Sequence, residues 1–410
     1  MNILILNQAF YPDVVATAQH ASDLAVALVQ RGHEVTVLCS SRGYDNTSMH
    51  FSSHENWNGV NIVRVRSTGF GKAAKWRRAA DFASFIMSSV FQLSILPRFD
   101  VVVALTSPPL ISFIAALCIP FKARRLVFWS MDLNPDEAIA AGWLREESLV
   151  TRLLSRMLLY SLRRADQIVA LDVFMKQRIE EKGISREKIL IVPPWSHDDH
   201  ICFSDPARRK FRAQHRLDAK FVVMYSGNHS PCHPLDTLLQ AAGQLSDRDD
   251  ILFCFIGGGS EFSKVQAFAQ ERRLANIMTL PYQPLAALSG SLSAADLQVV
   301  VMGEPYVGII HPCKIYNILA VDRAVLYIGP DKSHVADIIK DEEVESYSCR
   351  TGDVDAVVNS ILYAMTRRTT SSWRSLGSAN RFSKAQLLPQ LISSIERDSL
   401  AANASTVRAA

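Results

Sequence analysis

NILILNQAFYPDVVATAQHASDLAVALVQRGHEVTVLCS, residues 2–40, decides the fold. Ile3 to Leu6 are continuously apolar, as in a parallel strand covered on both faces. The loop NQAFYPDVVATAQH follows. Ala21, Leu24, Ala25 and Leu28 then recur at helical spacing, and Gly32 sits where a helix ends. EVTVLCS is a second buried strand. Strand, helix, strand predicts a right-handed βαβ unit on a parallel sheet.

The rhythm repeats outward from there. GVNIVRVRS (59–67), FDVVVALTSPP (99–109), RLVFWSMDLNPDE (125–137), ADQIVALD (165–172) and KILIVPPW (188–195) read as strands, with helices between them. PPWSHDDHICFSDPARR (193–209) has no period and reads as a hinge. Alternation restarts with FVVMYSGN (221–228), ILFCFIGGG (251–259), MTLPYQ (278–283), DLQVVVM (296–302) and AVLYIGP (324–330). The expectation is an α/β chain of two doubly wound domains, 1–197 and 198–380. A helix over 381–398 returns to the first domain, and 399–410 is a frayed tail. Ligand crevices lie beyond the C-terminal ends of such strands.

The totals agree. The chain has 410 residues, 48% hydrophobic and 20% charged, too long for one ordinary core. A net charge of +4 is too weak to argue for nucleic acid. Seven cysteines without a CxxC fit reduced, buried thiols. Cys232 beside His233, and His311 near Cys313, lack the paired spacing of a zinc site, so no metal is expected. No secretory signal is read at the start, where NILILN has neither a basic n-region nor a cleavage site. LISFIAALCIPF (110–121) is too short to span a membrane and reads as a core helix. A cytoplasmic protein is expected. KAAKWRRAADFASFIMSSVFQLSIL (72–96) and LVTRLLSRMLLYSLRR (149–164) mix basic and apolar residues. They read either as a surface for anionic lipid on the inner face of the membrane or as packed helices with solvated basic ends.

Several segments, in order, carry a resemblance. They are the opening βαβ unit, DLNP (132–135) in its loop, ADQIVALDVFMKQRIEEKGISREKILIVPPW (165–195), YSGNHSPCHPLDTLLQAA (225–242), IGGGSE (256–261), HPCKIYNILAVDRAVLYIGP (311–330) and TGDVDAVVNSI (351–361). The chain resembles retaining glycosyltransferase family 4, in the bacterial polysaccharide branch that includes the fucosamine transferases. The resemblance implies a GT-B fold, two Rossmann-like domains facing across a cleft. It implies sugar transfer from a nucleotide-diphosphate sugar to a hydroxyl of a glycan or polyprenyl-diphosphate-linked acceptor, without a cofactor. Two rivals share the architecture: a UDP-sugar epimerase and a non-catalytic sugar-nucleotide binder.

The chain departs from the family pattern in two places. Many members carry Arg-x4-Lys in the first loop of the donor domain. Here GNHSPCHPLD offers Gly227, Asn228 and His229 instead. Members also carry Glu-x7-Glu, whose positions fall near Ile309 and on Asn317. In its place stands Pro312–Cys313–Lys314. A departing diphosphate needs a cation aimed at its growing charge. Lys314 is the candidate, assisted by the amides of Lys314 and Ile315, with His311 and Cys313 beside it and Asn317 toward a ribose hydroxyl. Tyr282 and Gln283 are expected at the nucleotide base, or Tyr282 as a cap on the core. In the first domain the resemblance places Tyr11, Ala16, Thr17 and His20 near the acceptor, with His20 equally readable as a core residue. Asp132 either orients or deprotonates the acceptor hydroxyl, or caps the helix starting near Pro135.

Overall fold

A computed structural model describes residues 1–44, 47–71, 75–196, 201–341, 344–367 and 381–407. The boundary expected at 197/198 lies outside the described residues, as do residues 72–74 of the expected basic run and 408–410 of the expected tail. The chain forms two compact units, Met1–Pro193 with Leu388–Ala410, and Pro194–Leu387.

Unit 1 contains β1 (Asn2–Leu6), α1 (Ala16–Gln30), β2 (Glu34–Ser40), β3 (His54–Trp57), β4 (Val60–Val65), α2 (Lys75–Ile95), β5 (Phe99–Ala104) and α3 (Ile111–Lys122). It continues with β6 (Ala123–Trp129), α4 (Asp136–Ala140), α5 (Leu149–Arg164), β7 (Gln167–Ala170), α6 (Val173–Glu181) and β8 (Ile189–Ile191). The sheet order is β3-β4-β2-β1-β5-β6-β7-β8. All neighbours are parallel except β3, which turns back on β4. Chain order reverses between β1 and β5, and that is where a doubly wound sheet opens a crevice. Gly32 ends α1 at φ +84°, a conformation that favours glycine.

Unit 2 contains α7 (Asp205–Gln214), β9 (Phe221–Asn228), α8 (Asp236–Gln244), β10 (Ile251–Gly258), α9 (Phe262–Glu271), β11 (Ile277–Leu280) and α10 (Leu285–Ser293). Then come β12 (Leu297–Val301), α11 (Lys314–Ala320), β13 (Ala324–Ile328), α12 (His334–Asp341), β14 (Ser346–Cys349) and α13 (Val354–Arg367). Its sheet is wholly parallel, β11-β10-β9-β12-β13-β14. The reversal falls between β9 and β12. Phe221, Val223 and Tyr225 pack toward α8 and α13, while Val222 and Met224 face the core under α7. Both faces are covered, which explains the unbroken apolar strands.

Two expectations need correction. The final helix, α14 (Lys384–Val407), runs on through most of the segment expected to be a frayed tail. LAANAST holds three alanines, the best helix formers. Glu396 of α14 accepts from Arg31 at 2.8 Å and pairs with His33 at 2.7 Å, and Arg125 donates to the Ile395 carbonyl at 3.0 Å. In α3, Ile111, Ala115, Ala116 and Ile119 are buried as a core helix requires, but Leu117 and Phe121 face outward.

Candidate donor site

The reversal in unit 2 brings four segments together. β9 ends in Tyr225, Ser226, Gly227 and Asn228. Its pairing with β10 sets Gly227 opposite Gly257 and Asn228 opposite Gly258. After β12, the Gly303 amide donates to the Cys232 carbonyl at 3.0 Å. Then α11 begins at Lys314.

Lys314 reaches back under this glycine-lined edge. Its Nζ lies 3.6 Å from the centroid of the Tyr225 ring. A Cβ on Gly227 would stand in ordinary contact, 3.5 Å from Lys314 Cε and 3.6 Å from Nζ, so the amine lies directly beside this glycine, whose φ of +138° side-chain-bearing residues rarely adopt. The Nζ is buried and makes no hydrogen bond among the described residues. Burial holds this amine well below the usual lysine range, opposed only weakly by Cys313. A buried cation without a counter-ion is costly. The face of Tyr225 offsets part of that cost.

Two histidines flank the amine, and neither supplies negative charge. His229 is pulled down to about 4, first by burial and then by the Lys314 charge. His233 is driven well below its ordinary value by the same two causes in the same order. Backbone carbonyls fix both rings: His229 Nδ1 bonds the Gly227 carbonyl at 3.0 Å, and His233 Nδ1 bonds that of Val301 at 2.8 Å. Each neutral ring therefore donates from Nδ1 and keeps a lone pair on Nε2. The Nε2 of His229 is buried and unpartnered among the described residues. Burial raises the Tyr225 phenol well above its usual value, and its hydroxyl donates to the Asn228 carbonyl at 2.8 Å.

Tyr282 lies over the next glycines. Its ring atoms come within 3.1 Å of where a Gly258 Cβ would stand and 3.4 Å of that of Gly257. Its hydroxyl reaches the Gly258 carbonyl at 3.4 Å, and the residue is 56% exposed. One side is thus seated on glycine backbone. Gln283 is turned to the Pro281 carbonyl at 2.9 Å.

The other expected donor residues are engaged differently. His311 Nε2 meets the Tyr316 hydroxyl at 2.6 Å, and its ring stacks on His334 at 3.7 Å. The Cys313 thiol donates to the His311 carbonyl at 3.1 Å. Ile315 is a fully buried side chain, and Asn317 lies half-buried one turn beyond Lys314.

In unit 1, the loops after β1, β5 and β6 each hold a cis proline bond, at Tyr11–Pro12, Ser107–Pro108 and Asn134–Pro135. Tyr11 stacks on Trp57 at 4.1 Å, and its carbonyl accepts from Arg64 at 2.9 Å. Ala16 and Thr17 open α1, while His20 is buried within it. Asp132 follows β6. It does not cap α4, whose N-cap is Pro135 without a side-chain bond. Burial, then the neighbouring Glu137 charge, raises its carboxyl to about 8. A cavity of about 340 Å³ lies elsewhere in unit 1, but there Lys182 already pairs with Asp136 at 2.6 Å.

The comparisons with known proteins fit this geometry. The description "Glycosyl transferase 4-like domain" matches residues 16–195, and "Glycosyl transferases group 1" matches 207–384. The chain belongs to the GT-B glycosyltransferases. It is 25% identical over 346 residues to the colanic acid biosynthesis glycosyl transferase WcaI of Escherichia coli K12, covering 78% of this chain and 81% of that one. It is 26% identical over 280 residues to the glycosyltransferase WbjE of Pseudomonas aeruginosa, covering 68% and 69%. Among solved folds, sucrose-phosphate synthase of Thermosynechococcus elongatus superposes with a TM-score of 0.76 at 14% identity, covering 98% of this chain and all of that one. Anabaena HepE, in complex with UDP-glucose, gives 0.72 at 14% identity, covering 97% of this chain and 100% of that one. The function is sugar transfer of the bacterial polysaccharide type.

Sequence reading placed Lys314, Gly227 and His229, and the structure brings all three together. It missed Tyr225 and the role of His233. A signal for Tyr225 was present. On a strand, residues 225 and 227 share a face, so a tyrosine two places before the glycine lies on the same side of the sheet edge.

Proposed function

We propose that this glycosyltransferase binds the diphosphate of a nucleotide sugar at Lys314 and passes the sugar, with retention, to a hydroxyl of a glycan or polyprenyl-diphosphate-linked acceptor. The observation that carries this is the Lys314 amine, buried, unpartnered among the described residues and framed by Tyr225 and Gly227. A diphosphate supplies the missing negative charge. As the bond to the anomeric carbon breaks, charge grows on that leaving group and the ammonium stabilises it. Lys314 does here what a metal ion does elsewhere, so the reading needs no metal. Asn317 takes a ribose hydroxyl, and Tyr11, Ala16, Thr17, His20 and Asp132 serve the acceptor. HepE, solved with UDP-glucose, makes a uridine donor the first to try. The setting is the cytoplasmic side of the membrane, with anionic lipid rather than nucleic acid as the larger partner. Thermal-shift screening against UDP-, GDP-, ADP- and dTDP-sugars tests the donor. A ligand at 100 times its Kd stabilises by roughly 2.7 kcal/mol, whereas no shift with any of them would remove the reading.

Tyr282 is the platform for the base. Tyr282→Ala is expected to weaken nucleotide binding about tenfold, from the usual worth of one base stacked on an aromatic ring, while Tyr282→Phe binds normally. Isothermal titration with the free nucleotide measures both.

Asp132 as the acceptor base must be ionised. With its carboxyl near 8, turnover should rise with pH through that value, and Asp132→Asn should lose the rise along with most activity. Stability moves the other way. The folded state holds this proton between about pH 4 and 8, where the unfolded chain has released it, so stability falls as pH rises across that window. Urea unfolding at both ends should show the slope in the parent and less of it in Asp132→Asn.

A further inference from the structure

We infer that Tyr316, locked to His311, is a positioning residue that holds the Lys314 amine in place for sugar transfer; this rests on Lys314 meeting the diphosphate. α11 has seven residues, and its N-cap, Cys313, makes no side-chain cap bond. A helix this short has little stability of its own, so its surroundings must set its direction and its rotation. Lys314 and Tyr316 stand two residues apart, roughly 200° around the helix axis. Lys314 reaches the Tyr225 ring of β9. Tyr316 is turned away into the interior, 1% exposed, with its ring 4.8 Å from that of Phe382. It therefore grips the back of the helix whose front presents the amine.

The back of α11 is anchored in steps. The Tyr316 hydroxyl meets His311 Nε2 at 2.6 Å, which closes residues 311–316 into a loop around Lys314. The His311 ring lies 3.7 Å from that of His334 and 19° from parallel to it. His334 opens α12. Just before it, the Ser333 hydroxyl accepts from the Ala336 amide at 3.2 Å and meets the Tyr327 hydroxyl at 2.7 Å. Tyr327 belongs to β13, so the contacts run unbroken from the sheet to the rear of α11. Without the Tyr316 hydroxyl the helix is free to turn about its axis, and the amine, at the end of a long stem, moves furthest. A misplacement of about 1 Å costs on the order of 100-fold in rate.

Tyr316→Phe removes the hydroxyl and keeps the ring. Turnover is read as nucleoside diphosphate released from whichever UDP-, GDP-, ADP- or dTDP-sugar stabilises the parent most. Tyr316→Phe should lower it by about tenfold or more. The deciding arm repeats the change in Lys314→Ala. A residue that acts through the amine has nothing left to position there, so the second substitution should cost less than about twofold. His311→Gln, whose amide still offers the hydroxyl a partner, should keep most of the turnover, and His311→Ala should match Tyr316→Phe. Thermal melts establish that each variant is folded, and His311→Ala takes the place of Tyr316→Phe if the latter is not. Parental turnover in folded Tyr316→Phe, or the same fold loss in both backgrounds, overturns the inference: the hydroxyl would then only satisfy a buried ring nitrogen. Parental turnover in Lys314→Ala by itself would instead overturn the role of the amine.

Discussion

Lys314→Ala should lower turnover on the order of 100-fold or more while leaving the protein folded. The size follows from what the amine does. It is the cation that the β9 edge presents, and neither neighbouring histidine is charged near neutral pH. Removing it leaves a leaving diphosphate without its stabilising charge. The fold has no reason to suffer, because no ion pair is broken among the described residues and a buried amine without a hydrogen bond is removed. Lys314→Met, which keeps the stem against Tyr225, should unfold at the same temperature or higher. Lys314→Arg should not rescue activity, since the broader, planar guanidinium replaces a compact ammonium in a buried position against the Tyr225 ring. A transfer assay beside a thermal melt separates these outcomes. Near-parental turnover in Lys314→Ala would remove the residue from the mechanism.

Gly257→Ala should destabilise unit 2 by about 3 kcal/mol or more. A Cβ there would stand 2.0 Å from the Gly227 carbonyl oxygen. That is backbone on the strand to which Gly257 is paired, so no side chain can swing aside. The residue also has φ +135°, which side-chain-bearing residues rarely adopt. Relief requires β9 and β10 to part at their C-terminal ends, which displaces Gly227 from Lys314. Gly258→Ala is the control. Its Cβ meets the Tyr282 ring at 3.1 Å, and an exposed ring can move. Stability should hold there while nucleotide affinity falls. Urea unfolding of the two variants, compared with the parent, measures the difference.

The strands that build both crevices were readable because they are buried on both faces. EVTVLCS and FVVMYSGN coincide with β2 and β9 residue for residue. β3 and β14 were not readable, because HENW and SYSC are short, polar and at sheet edges, where burial imposes no pattern. Lys314 was legible through a local oddity, a cation at a helix start. Beyond Gly227 and His229, its surroundings were not: Tyr225 on β9 and His233 in the loop after it lie some eighty residues earlier in the sequence, and only the strand order β9-β12 brings them beside the amine. The engagement of His311 by Tyr316 and His334 was equally hidden, since nothing in HPCKIY shows which way that ring turns.

The most direct measurement is a crystal structure of the protein with a bound nucleoside diphosphate. The terminal phosphate should lie within hydrogen-bonding distance of Lys314 Nζ, beside Gly227, with the base against Tyr282. A diphosphate bound elsewhere, with the amine still resting on Tyr225 alone, would contradict the central claim.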